Sequence, residues 1–97
     1  MKTKMTLQEA NRLVERADSL FNRAARAWER GNNSGNSAAM ARGEAQCDRL
    51  RNQAEALLTP LGIVVDYPGL YPSFLVRGGS YHTTEGAVSA ALEGGDK

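Results

Sequence analysis

The stretch LQEANRLVERADSLFNRAARAWER, residues 7–30, decides the fold because its apolar and small residues follow the period of an α-helix. They recur at alternating spacings of three and four residues, at Leu7, Ala10, Val14, Ala17, Phe21, Ala24 and Trp28. Thr6 and Glu9 form a capping-box pattern, in which each side chain satisfies a free backbone N–H at the helix start. Arg30 followed by Gly31 is typical of a helix end. The stretch therefore predicts a helix from about Leu7 to Arg30.

A second helix is predicted after the polar segment NNSGNS, residues 32–37, with Asn36 or Ser37 as its cap. Its apolar stripe alternates in the same way through Met40, Gly43, Cys47, Leu50, Ala54 and Leu57. It should end at about Leu58, because Thr59 precedes a proline and such residues avoid the helical region. Since the connection is short, we expect the two stripes to pack in a long antiparallel helical hairpin over residues 6–58.

The pattern changes after Pro60. GIVVDY, residues 62–67, is rich in β-branched residues and predicts a strand, and Pro68–Gly69 suits the centre of a type II turn. SFLVRGGSYHT, residues 73–83, predicts a β-hairpin that turns at Gly78–Gly79, and Thr83 or Thr84 caps a short final helix.

The predicted fold is therefore α+β: a helical hairpin, a small antiparallel sheet of about three strands, and a short C-terminal helix. We expect a single domain over residues 1–97, with a β-β-β-α subregion over 62–92 and a frayed tail over 93–97.

Composition narrows the class of protein. Of the 97 residues 41% are hydrophobic and 24% charged, which is typical of a soluble globular domain. The net charge of +1 argues against a surface tuned as a whole to nucleic acid or to an anionic membrane. One cysteine allows no internal disulfide and no multi-cysteine metal site, and the first residues contain no apolar run. We expect a cytoplasmic protein without cofactor or metal and without a membrane span.

The segment YPGLYPSF, residues 67–74, contains three of the six aromatic residues and two of the three prolines. One interpretation is a stiff connection that closes the join between sheet and helices, with buried tyrosine rings and hydrated hydroxyls. The other is an exposed binding patch with Tyr67, Leu70 and Tyr71 as anchors, because tyrosine is enriched at binding hot spots.

A row of arginines lies opposite the apolar stripe of the first predicted helix, at Arg12, Arg16, Arg23, Arg26 and Arg30. It can follow a phosphate backbone or an acidic protein groove. The alternative is a solvated face, since Glu9, Glu15 and Glu29 flank the row and can neutralise part of it locally. No aromatic residue interleaves the arginines, which weakens the case for binding single-stranded nucleic acid.

Catalytic signals are weak. Cys47 falls in the predicted helix interface, where a thiol behaves as a small apolar group, and His82 is the only histidine. A single histidine beside Glu85 specifies no reaction. We expect that the protein is not an enzyme.

The format of the chain, which is small, α+β and arginine-rich with no catalytic motif, resembles small accessory proteins of phages and mobile elements, including anti-CRISPR and other anti-defence inhibitors. The resemblance implies a non-enzymatic module that occludes or bridges a larger protein or ribonucleoprotein. For this role the residues predicted to bind the partner are Tyr67, Leu70 and Tyr71 as anchors, with Arg23, Arg26 and Arg30 as an electrostatic rim.

Two alternatives stay open. The arginine row can bind nucleic acid, or the wide stripe of the first helix, with Leu13 and Leu20 on its flank, can pair with a second copy in a structural homodimer.

Overall fold

The computed structural model describes residues 5–94 and confirms the predicted α+β fold, with a helical hairpin, a three-stranded antiparallel sheet and a final helix. The elements are α1 Leu7–Asn33, α2 Ser37–Leu58, a short 3₁₀ helix Thr59–Leu61, β1 Val64–Asp66, β2 Ser73–Val76, β3 Gly79–Tyr81 and α3 Thr84–Gly94. Of the tail predicted to be frayed, Glu93 and Gly94 belong to α3, and residues 95–97 lie outside the described residues. The long axis of the molecule measures 51 Å.

The start of α1 is the predicted capping box. The backbone N–H of Thr6 donates to Oε1 of Glu9 at 2.9 Å, and the N–H of Glu9 donates to Oγ1 of Thr6 at 3.1 Å. The predicted end at Arg30 is wrong, because α1 continues through Gly31 to Asn33. Gly31 is instead a packing residue: a Cβ there would lie 2.8 Å from the carbonyl oxygen of Ala39. The left-handed turn falls later, at Gly35.

Helix α2 has Asn36 as its cap and ends where expected, at Leu58, but for a different reason. The side chain of Asn36 accepts from the N–H of Ala39 at 3.1 Å. Thr59 keeps helical angles, with φ −54° and ψ −42°, although a proline follows it. The chain tightens into the 3₁₀ helix and turns away at Gly62, which has a positive φ of 79°.

The three strands form an antiparallel meander in the order β1-β2-β3. The predicted turn at Gly78–Gly79 is wrong by one residue: Val76 pairs with Gly79, and the two loop residues are Arg77 and Gly78. Their φ angles of 51° and 85° are both positive, as in a type I′ turn. In this register Phe74 pairs with Tyr81, and Phe74 and Val76 lie on the buried face of the sheet.

The core lies between the sheet, α3 and one face of the hairpin. Phe74 is fully buried, and its ring meets that of Phe21 edge to face with centroids 5.6 Å apart. Around this pair pack buried aliphatic residues, including Leu58, Ile63, Val76 and Val88. Towards the hairpin loop a smaller cluster joins Ala24, Cys47 and Leu50, with Leu20 and Trp28 against it. The sheet therefore covers only one side of the two-helix layer.

Candidate functional site: a basic groove on the helical hairpin

Tyr67 is half-buried and contacts two residues of α2. Its hydroxyl donates to Oε2 of Glu55 at 2.5 Å, and the guanidinium carbon of Arg51 lies 4.1 Å from the centre of its ring. The hydroxyl of Tyr67, which was expected to be hydrated, thus has a partner within the chain, and the hydration of the Tyr71 hydroxyl stays a prediction. Burial, and then the hydrogen bond to the Glu55 carboxylate, raise the pKa of Tyr67 far above its ordinary value.

Arg51 also fixes the rest of the connection between β1 and β2. One of its terminal nitrogens (Nη2) donates to the backbone carbonyl of Leu70 at 2.9 Å. Leu70 is half-buried, and Tyr71 is 58% exposed. The predicted type II turn is wrong, since Gly69 is absent from the described residues with positive φ. Of the three predicted anchors only Tyr71 is freely exposed, and the anchor role of all three stays a prediction.

Arg51 is the residue that sequence reasoning missed. It precedes Glu55 by four residues on a helix, a spacing that is typical of an ordinary surface ion pair. The signal that could have found it is the aromatic loop downstream, which needs a polar partner for every tyrosine hydroxyl that it buries. Nothing in the sequence says which helix that loop contacts.

Tyr71 and the arginine rim do not lie on one face. Tyr71 and Pro72 line a pocket of about 390 Å³ together with Asp18, Phe21 and Asn22 of α1 and His82. Arg23 lines a different recess on the other side of the hairpin. Arg26 and Arg30 border a third, shallow recess with Glu29 and Asn33 near the hairpin loop. The six residues predicted to bind the partner are thus divided among separate surfaces.

The side of the hairpin away from the sheet carries a recess of about 630 Å³. It runs between α1 and α2, and we call it the basic groove. Its lining residues are Glu15, Arg16, Ser19, Leu20, Arg23, Gln53, Ala56 and Leu57. Leu20 and Leu57 are half-buried and form an apolar floor, while Arg16 and Arg23 are exposed at one edge.

Arg16 and Arg23 line the basic groove, and further arginines continue at seven-residue spacing along both helices beyond it. On α1 the arginines are Arg16, Arg23 and Arg30; on α2, Arg42 and Arg49 precede the groove residue Ala56 by fourteen and seven residues. Residues seven apart on a helix lie on the same side, two turns apart. All five side chains are exposed. The predicted row therefore has a second half on α2, which can be recognised only once the covered face of the hairpin is known.

The groups considered for catalysis lie apart. Cys47 is 1% exposed in the cluster with Ala24 and Leu50, and burial raises the pKa of its thiol, so the reactive thiolate is disfavoured. His82 is exposed beside Asp18 in the pocket that contains Tyr71. Within residues 5–94 no group of three or more histidine, cysteine, aspartate or glutamate side chains is arranged to hold a metal ion.

Two further findings bear on the function class. None of the described helices combines the length and the apolar character needed to cross a bilayer. Comparison with known proteins found no matching family model, no similar curated protein and no similar solved structure.

Proposed function

We propose that the protein is a small non-enzymatic binding module that occludes or bridges a larger protein partner, and that its docking surface is the basic groove. The observation that carries the proposal is the apolar floor of Leu20 and Leu57 beside the exposed Arg16 and Arg23. An apolar centre with a charged rim is the usual anatomy of a protein interface, in which the centre contributes affinity and the rim sets orientation and association rate.

The contents of the groove favour a protein over nucleic acid. Glu15 lies within it, and a carboxylate there repels phosphates. The leucines of the floor gain nothing from a phosphate backbone, and no aromatic side chain lines the groove to stack on a base. A protein surface with apolar residues at its centre and acidic residues around them can contact both the leucines and the arginines.

A second copy of the chain is a poor partner for this surface. A two-fold symmetric dimer would place the arginine rows of one hairpin against the arginine rows of the other. Glu15 is the one carboxylate among the residues lining the groove, against the two arginines Arg16 and Arg23. The net repulsion favours a foreign partner of opposite charge.

The proposal is compatible with the format of small inhibitors of phages and mobile elements, which act by covering a working surface of a larger protein. Such a module needs a rigid scaffold and no catalytic group. The core built on Phe21 and Phe74 and the connection fixed by Arg51 supply that rigidity.

The test is a tagged pull-down from a lysate of the source organism, with and without nuclease, comparing three proteins. The first is the wild type; the second carries Arg16→Gln and Arg23→Gln. The matched control carries Ser80→Glu and Ser89→Glu, which lowers the net charge by the same amount at exposed positions of β3 and α3. We expect one stoichiometric protein that survives nuclease, is retained by the control and is depleted by the arginine pair.

Two results would contradict this. If the Arg16→Gln, Arg23→Gln variant retains the partner and Tyr71→Ala loses it, the binding surface is the aromatic connection and not the groove. Capture of nucleic acid alone, removed by nuclease, would replace the protein partner by a nucleic acid.

A further inference from the structure

We infer that the basic groove receives a single amphipathic α-helix of the partner, with apolar residues on its inner side and acidic residues on both flanks. Bound in this way, the helix forms a three-helix bundle with α1 and α2, and it lies on the side of the hairpin opposite to the sheet. The inference rests on the proposed function and names the kind of segment that docks.

The floor of the groove has the shape that a helix fills. A groove between two packed helices accepts the side-chain ridge of a third helix. Leu13, which is half-buried, lies seven residues before Leu20 and therefore on the same side of α1. Leu57 faces Leu20 from α2. The floor is thus a stripe parallel to the helices rather than a round pocket, which favours an elongated occupant.

The spacing of the arginines points to a helical rather than an extended segment. Residues seven apart on α1 and on α2 are separated by about 10.5 Å along the axis. In a bound helix with an acidic residue at every seventh position, the carboxylates are also about 10.5 Å apart, so each of them can lie opposite an arginine. An extended strand presents side chains on one face about every 6.6 Å, so it misses the arginine at about 10.5 Å and comes close only to the one at about 21 Å.

The rows also set the length and charge of the occupant. Arg16 and Arg30 are fourteen residues apart, or about 21 Å along α1. A helix of about 15 to 18 residues covers that distance. Three acidic residues on the flank facing α1 and two on the flank facing Arg42 and Arg49 match the five arginines.

The experiment uses a fluorescent 18-residue peptide with leucine at heptad positions a and d, glutamate at e and g, and alanine or glutamine elsewhere. Its binding to the full chain is followed by anisotropy, at concentrations where the free peptide sediments as a monomer, and its helicity by circular dichroism. The comparison peptide has the same composition in scrambled order, which keeps the charge and removes the two-sided pattern. We expect the patterned peptide to bind and gain helicity, and the scrambled peptide to bind at least about tenfold more weakly.

The variants locate the contact. Arg16→Gln with Arg23→Gln should weaken the patterned peptide about five- to tenfold, because two exposed ion pairs are lost. Gln53→Glu, nearly isosteric at an exposed position of the groove, should weaken it by adding a repelling carboxylate. Ser80→Glu with Ser89→Glu should leave binding unchanged. Thermal unfolding of each variant checks that the fold is retained.

Each contrary outcome overturns the inference. Equal binding of both peptides would mean that the groove attracts any acidic chain. Tighter binding of an oligonucleotide duplex, lost with the arginine pair, would make nucleic acid the occupant. The patterned peptide can fail to bind while the pull-down still captures a protein whose binding depends on the arginines. That result would support the proposed function and contradict the inference that the partner segment is a helix.

Discussion

The two faces of the helical hairpin use the same helices in opposite ways. On the covered face Phe21 packs edge to face against Phe74, and Tyr67 closes the border through its hydrogen bond to Glu55. On the open face Leu20 and Leu57 lie half-buried beside exposed arginines. On the covered face these aromatic side chains and their polar groups all have partners within the chain. We propose that the open face, with half-buried leucines beside exposed arginines, is covered by a partner.

The largest difference between the faces should appear in stability. Phe74→Ala removes the largest fully buried side chain of the core and should lower the free energy of unfolding by about 3–5 kcal/mol. The double substitution Arg16→Gln with Arg23→Gln, on the open face, should change it by less than about 0.5 kcal/mol. Urea unfolding followed by circular dichroism measures both. Similar losses for the two variants would mean that the open face is as much a part of the core as the covered one.

A smaller effect is expected where the helices touch between the two faces. A Cβ at Gly43 would lie 2.7 Å from the carbonyl oxygen of Ala27, a backbone atom, so Gly43→Ala must push the helices apart. We expect a loss of about 1–3 kcal/mol, although alanine in place of glycine ordinarily favours a helix.

The control is Gly69→Ala, because no heavy atom lies within 4 Å of a Cβ at that position and its φ is not among the positive ones. Its unfolding midpoint in urea should match the wild type or rise slightly. A stabilising Gly43→Ala would contradict the close approach of the helices.

The smallest effect concerns the border of the covered face. Tyr67→Phe leaves the Glu55 carboxylate without its hydroxyl donor and should cost about 1–2 kcal/mol near neutral pH. The pKa of Tyr67 is raised above 10.0 in the folded protein, so this contribution is fully present below pH 10 and is lost as the pH rises above it.

Measuring unfolding in urea from pH 8 to pH 11 tests the sign. The free-energy difference between wild type and Tyr67→Phe should be constant up to about pH 9.5 and then shrink, by at most about 1.4 kcal/mol per pH unit. A difference that grows with pH would mean that the hydroxyl ionises more readily in the folded state.

The fold was largely predictable because its signals are local. The capping box at Thr6 and Glu9, the three-four stripe and the Asn36 cap each depend on residues within one or two helical turns. Predictions failed where two local options were equivalent. Gly31 followed by a polar segment has the pattern of a helix end, but contact with α2 keeps it inside α1. Both glycines 78 and 79 tolerate a positive φ, and no local signal shows that Arg77 takes the first position of the loop.

The candidate site was less predictable because it depends on which face the sheet covers. The sequence predicts Arg16 and Arg23 as part of a row on α1. Arg42 and Arg49 can be assigned to the same side of the hairpin only when it is known that the sheet leaves the groove open. Arg51 differs from Arg49 by two positions, yet that step turns its side chain from the open face towards the aromatic connection. The sequence predicts the helical period of α2 but not which face of the helix the sheet covers.

The contact between Gly31 and Gly43 has a geometric consequence for any helix that docks. With no side chains between them at that level, the backbones touch: a Cβ at Gly31 would lie 2.8 Å from the carbonyl oxygen of Ala39, and one at Gly43 would lie 2.7 Å from that of Ala27. No side chain of a docking helix can therefore enter between α1 and α2 there, and we expect its apolar residues to contact the chain at Leu20 and Leu57 instead.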